Sequence, residues 1–291
     1  MKLRKIAAVL IAIVVLCAAP IGGLVGVDCM SFFAPQAEAA GKTYKVGDIV
    51  EFGSYPQSRI TNSSLVSALN KVSKNWVSYG YYSGTGDYGT MVQGNWMKYA
   101  DFTYNGTKYR AVTFSQYRPY RIYNPSSSNT SNQYSNGYTP NKIYYFKYEP
   151  LKWRVLDPSA GLVLCESIID SQAYSNTVYC YGRDPYDEYD AYWNDAEHTH
   201  YANDYATSSI RAWLNDDFYN TAFSSSQKAS ILTSKLDNRA CSTSYSEYDS
   251  ETTYDKVFLL SWSEMQNTAY GFSASTSSSP TRQAKGTDYA K

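Results

Sequence analysis

Along residues 44–60, YKVGDIVEFGSYPQSRI, Val50 and Phe52 alternate with Ile49 and Glu51. A period of two predicts a strand with one buried face, and the stretch 53–56 reads as a turn leading to a second extended piece. The period then changes. In TNSSLVSALNKV, Leu65, Val66 and Leu69 share one helical face behind the cap candidates Asn62 and Ser63, so a short helix is predicted. Residues 97–114, MKYADFTYNGTKYRAVTF, are two alternating runs joined by Asn105-Gly106, the pair that best supplies a two-residue hairpin turn. A second strand pair is predicted in 142–169, KIYYFKYEPLKWRVLDPSAGLVLCESII, turning at 157–161, with Trp153, Val155, Val163 and Cys165 as core candidates.

Residues 205–232, YATSSIRAWLNDDFYNTAFSSSQKASIL, carry the clearest helical pattern. Thr207 or Ser208 caps a helix whose Ile210, Trp213 and Leu214 fall on one face, and Phe218 and Ala222 extend it. Asn215-Asp216 predicts a break, and Ser224 with Gln227 fits a reciprocal capping box for a further helix. This apolar face is accounted for by packing on a sheet, so the block is assigned an architectural role. Near the end, TYDKVFLLSWSEM predicts a strand at 257–260 and a capping box from Ser261 to Glu264.

The N-terminus has a different pattern. Lys2, Arg4 and Lys5 precede an uncharged apolar run over 6–27, and Ala37-Glu38-Ala39 offers small residues for cleavage before Ala40. Residues 1–39 therefore read as an export signal, with a retained membrane anchor as the alternative. The expected product is one exported domain, 40–291, extracellular or at the cell surface, with no membrane span once the signal is removed. Cys17 follows Leu16 and Cys29 follows Asp28, neither preceded by the small residue of a lipidation site.

Composition narrows the partners. Lys plus Arg (26) balance Asp plus Glu (26), leaving no general basic field to attract nucleic acid. Residues 75–146 are rich in Tyr, Gly and Ser and read as an insertion, with a polar loop at 121–141. After signal removal Cys165, Cys180 and Cys241 remain. Cys165 lies in an apolar run and reads as a core residue, so Cys180–Cys241 is the bridge if one forms; a chain without a bridge is equally compatible.

Five segments in order, FGSYPQ (52–57), EPLKWRVLD (149–157), the block 205–231, YDKVFLLSWSE (254–264) and RQAKGTDYAK (282–291), resemble an exported bacterial family known as domain of unknown function 6273. That resemblance implies an α+β fold of the formylglycine-generating-enzyme and C-type-lectin type: a mixed twisted sheet, short helices and long ligand-facing loops. In that family the chain continues past AKGTDYA into Trp-Trp-Leu-Arg-Ser-Pro and Gly-Val-Arg-Pro stretches that form the last strands. This chain stops at Lys291, so the expectation is a C-terminal truncation that leaves Leu259 and Trp153 partly uncovered and pairing edges open. The oxygenase relatives bind copper through late cysteines, and no cysteine here matches them.

Among possible sites, 183–205 holds Asp184, Asp187, Glu188, Asp190, Asp195, Glu197 and Asp204 with both histidines, His198 and His200. Carboxylates on a loop suit calcium, and two histidines at i, i+2 on one side of a strand could share a zinc with a carboxylate such as Asp187 or Asp190. The spacing misses the EF-hand pattern, and the reading preferred over either metal is a solvated acidic insertion with surface histidines. No Gly-x-Ser-x-Gly elbow or phosphate loop occurs. Tyr79, Tyr81, Tyr82, Tyr88, Tyr117 and Tyr120, set among Gly, Ser and Asn, could offer flat faces to sugars or proteins. The resulting expectation is a non-catalytic binding module for a surface glycan or protein, with no cofactor required and calcium as an option. The rival is a metal-dependent or hydrolytic enzyme using 184–204.

Overall fold

The computed structural model describes residues 13–16, 43–79, 85–86, 89–90, 97–117, 119–121, 124–128, 130–175, 179–180, 192–193, 197, 199–240, 242–275 and 279–291. Its centre is an antiparallel sheet. The strands are β1 (Ile13–Leu16), β2 (Ile49–Arg59), β3 (Val77–Ser78), β4 (Met97–Tyr104), β5 (Thr107–Phe114), β6 (Ile143–Asp157), β7 (Leu162–Cys165) and, after the helices, β11 (Val257–Leu259). Four short pieces complete the numbering: β8 (Ser167–Ile168), β9 (Ser234–Leu236) and β10 (Thr253–Asp255) precede β11, and β12 (Lys285–Gly286) follows it. The sheet order is β11-β1-β7-β6-β5-β4-β3, with β2 paired to the other edge of β6. The protein is thus an α+β molecule with few, short helices.

The Asn105-Gly106 hairpin forms as its sequence predicts. Both residues have positive φ, 48° and 76°, and Tyr104 faces Thr107 across the turn. This hairpin belongs to the central sheet, because β5 pairs with β6 from Ile143↔Thr113 to Lys147↔Tyr109. Helix α1 (Ser63–Asn70) is capped by Asn62, whose side chain accepts from the Leu65 amide, and it buries Leu69. The β6–β7 turn is held by Asp157, whose Oδ1 accepts from the Ser159 and Ala160 amides.

Residues 49–59 correct one expectation. There is no turn at 53–56: β2 runs through as a single strand, with irregular register against β6. Gly53 takes φ +75°, so the chain absorbs its kink inside the ladder. A strand partner along most of β2 outweighs the local turn signal of Gly and Pro, since each ladder bond satisfies a backbone group that a turn would leave to solvent.

The helical block covers the sheet. Ser208 caps α2 (Ser209–Trp213), a π-helical turn follows over Leu214–Phe218, and α3 (Tyr219–Ala222) continues it. Asn215 does not break the helix. Its Nδ2 donates to Arg211 and Val257 carbonyls at 3.1 and 2.9 Å, and its Oδ1 accepts from Lys256 and Val257 amides at 2.9 and 3.3 Å. One side chain thereby stands in for a strand at the outer edge of β11. The Ser224–Gln227 box opens α4 (Ser225–Lys228) with both reciprocal bonds present.

Ile210, Leu214 and Phe218 are fully buried against Val50, Phe52, Trp153, Val155, Val163 and Val257. Full burial of such side chains stabilises by roughly 1.5–3 kcal/mol each. Trp153, expected to be partly uncovered, is buried, and its Nε1 donates to the Phe52 carbonyl at 2.7 Å. On the other face Leu156, Leu162, Leu164, Phe258 and Phe272 form a second cluster. Between β7 and β11 lies β1, a piece of the apolar N-terminal run that pairs antiparallel with both.

Candidate functional site

β6 changes partner along one edge. Its first residues pair with β5 up to Lys147 and its last with β7 from Trp153, while β2 spans the opposite edge from Phe146 to Arg154. Between Lys147 and Trp153 the sheet is split. A groove of about 480 Å³ opens there, with Lys147, Glu149, Lys152, Glu51 and Gln57 at its rim and Tyr148, Leu151 and Cys165 among its walls.

The rim is ordered by the ladder. Lys152 faces Glu51 and Lys147 faces Ser58 across the β6–β2 pair. Ser58 Oγ donates to Glu149 Oε2 at 2.7 Å, and Gln57 Nε2 donates to the Glu149 and Pro150 carbonyls at 2.9 and 3.0 Å. Lys147, Lys152 and Glu51 are exposed and make no side-chain hydrogen bond among the described residues. Charges of both signs therefore remain available to a ligand. Cys165 is buried and unbridged, and burial pushes its thiol up to about 12, so it is an inert wall.

Tyr148 is fixed from beneath. Arg110, buried in the sheet, forks onto Asp101 through Nε and Nη2 at 2.8 and 2.7 Å, and donates to the hydroxyls of Tyr148 and Tyr289 at 3.1 and 3.0 Å. Its Cζ lies 4.4 Å from the Tyr99 ring centroid. Burial alone would raise the Asp101 carboxyl, but the Arg110 hydrogen bonds and charge outweigh it and hold the pKa below the ordinary value. Burial likewise opposes the Arg110 charge, yet its surrounding oxygens keep the guanidinium protonated. Beside it, Asp170 accepts from Tyr55 at 2.7 Å, and Gln172 donates to Asp170 at 3.0 Å and to Tyr79.

The sequence reading missed Arg110 and Asp101, though a signal was there: with the turn fixed at Asn105-Gly106, hairpin register sets these two opposite each other. Asp170 and Tyr289 arrive from distant segments and had no local signal. Of the tyrosines singled out, Tyr79 is buried with its ring 5.6 Å from Tyr99, and Tyr117 is half-buried beside Phe114 at 6.0 Å. Tyr120 lies in the short strand Pro119–Arg121, described for its backbone. Tyr81, Tyr82 and Tyr88 lie outside the described residues.

Asp187, Asp190 and His198 are likewise outside the described residues, as is Cys241; Cys180 lies in the strand Tyr179–Cys180, described for its backbone. His200 Nδ1 stands 3.0 Å from Asp204 Oδ2, and Asp204 also accepts from Thr207 Oγ1, the Ala206 amide and Ser250 Oγ. Nearby, Trp193 stacks on Tyr201 at 4.4 Å and Tyr201 meets Tyr248 at 4.8 Å. Among the described residues no group of three His, Cys, Asp or Glu could hold a metal ion, and no helix is long and apolar enough to cross a membrane.

Together these features define an α+β domain whose split antiparallel sheet opens into a charged surface groove. Residues 162–291 match the family described as Domain of unknown function (DUF6273), so the chain from β7 onward is similar to that family. No curated protein and no solved structure matches the chain.

Proposed function

We propose that this is an exported, non-catalytic binding module that recognises a glycan or a protein of a cell surface. The observation that carries the reading is the groove at the sheet split, where exposed Lys147, Lys152 and Glu51 surround walls that include Tyr148, itself anchored by Arg110. A preformed concavity with a few convergent polar groups is the ordinary form of a ligand site, because little side-chain freedom is lost on binding. In this reading the Tyr-rich connections supply the adaptable part of the binding face, as the resemblance to lectin-type folds suggests. The test is a glycan array together with a panel of purified surface proteins, probed with the intact chain and with Lys147→Glu, Lys152→Glu and Glu51→Lys. These exposed substitutions are expected to leave stability within roughly 0.5 kcal/mol while abolishing binding to whatever ligand is found. A broad screen without a ligand, or binding indifferent to all three changes, would overturn the reading.

The His200–Asp204 pair favours one second reading, a metal-dependent or hydrolytic enzyme built on 184–204, with calcium or zinc as the metal. Metal analysis of the purified chain decides it: stoichiometric metal that disappears on His198→Ala and His200→Ala would support the enzyme.

A further inference from the structure

Ile13–Leu16 occupies a gap one strand wide. It pairs antiparallel with β7 through Val14↔Leu164, Val15↔Val163 and Leu16↔Leu162, and with β11 through Ile13↔Leu259, Val14↔Phe258 and Val15↔Val257. With strands about 4.8 Å apart, the two walls stand about 10 Å from each other. Among the described residues β11 reaches β7 only through this occupant, and on its outer edge Val257 is already bonded by Asn215.

Both walls are buried on both faces. Val163 and Cys165 of β7 and Val257 of β11 belong to the core beneath the helical block, whereas Leu162, Leu164 and Phe258 belong to the cluster on the opposite side. A strand between them has apolar surroundings above and below, so successive residues must be apolar, and any charge would be desolvated without a partner. Ile13-Val14-Val15-Leu16 meets that demand at every position. The same residues lie in the apolar run that the export reading removes.

We propose that the space between β7 and β11 is a strand-acceptor site for an extended, wholly apolar polypeptide segment, filled by residues 13–16 in the unprocessed chain and by an apolar strand of a partner polypeptide after processing. Recognition combines ladder hydrogen bonds from both walls with burial on both faces, the physics of strand addition. An empty site would expose two unpaired edges and two apolar strips, a state that natural sheets avoid. This property is independent of the ligand proposed for the groove.

The test starts from the full chain, folded and then cut at a protease site installed at residues 36–39. The probe is a fluorescent peptide carrying residues 11–17 between solubilising lysines, with Cys17→Ser. Its control carries Val14→Pro, which removes a ladder donor. Saturable uptake of one peptide per chain, weakened roughly 10-fold or more by the proline, is expected, the equivalent of one or two ladder bonds. Amide exchange of β7 and β11 should accelerate when the cut fragment leaves and slow again with the apolar peptide. If the cut chain unfolds on losing its fragment, recovery of its near-ultraviolet circular dichroism by the apolar peptide alone supports the site. Equal binding of both peptides, exchange rates indifferent to the fragment, or recovery with neither peptide would overturn it.

Discussion

Replacing Gly53 by alanine probes the contact that joins β2 to the helical block. At φ +75° an added Cβ would lie 2.7 Å from Phe223 Cδ1 and Cε1 and 2.9 Å from the Ala222 carbonyl oxygen. The ring cannot swing away, because Phe223 packs on Phe52, Trp153, Phe218 and Tyr219 with centroids 5.4 to 6.3 Å apart. Two costs add: about 1–2 kcal/mol for an L-residue in the left-handed region and about 1–3 kcal/mol for overpacking. Gly106 separates them, since it has φ +76° with nothing within 4 Å of an added Cβ. Gly106→Ala should therefore show the backbone cost alone. Chemical denaturation and thermal melting of both variants are the assay. Gly53→Ala should be the less stable by roughly 1–3 kcal/mol, or about 2–12 °C at 2–4 °C per kcal/mol. Introduced into a Phe223→Leu background, the alanine at 53 should cost less than in the natural chain, a coupling of about 0.5–3 kcal/mol. Equal losses for the two glycines would refute the close approach as the reason for Gly53.

Asn215→Ala should destabilise by about 2–4 kcal/mol, since Val257 and Lys256 lose partners that partly buried groups need; Asn215→Asp keeps only the acceptor side and should recover stability as the pH falls and its carboxyl protonates, which a pH series of denaturation curves would reveal. Asp101→Asn strips the buried Arg110 of its counter-charge and should cost about 3–5 kcal/mol at pH 7. Because the folded Asp101 pKa lies below its ordinary 3.8, the contribution is complete above about pH 4 and fades as the pH drops through the folded value. The gap between natural chain and variant should accordingly narrow in acid; a gap that stays constant down to pH 2 would show that the charge is not what Asp101 supplies.

Local chemistry accounts for much of the fold. The Asn105-Gly106 turn, the Asn62 and Ser208 caps and the Ser224–Gln227 box need only neighbours within a few residues, so short-range pattern suffices to place them. The apolar periodicity of Ile210, Leu214 and Phe218 likewise identifies a buried face before its partner is known. Long-range contact decided the remainder. Gly53-Ser54-Tyr55-Pro56 carries turn residues, yet β6 lies alongside and draws it into a strand. Asn215 reads as a helix breaker until Val257 is beside it to take its amide. The groove exists because β6 passes from β5 to β7, an event of sheet order to which no single segment testifies. The residues 13–16 read as a leader when judged by charge and hydropathy, and become a sheet strand once β7 and β11 stand one strand apart. In each case the deciding free energy comes from backbone groups and apolar surface far away in the chain, which a local window does not contain.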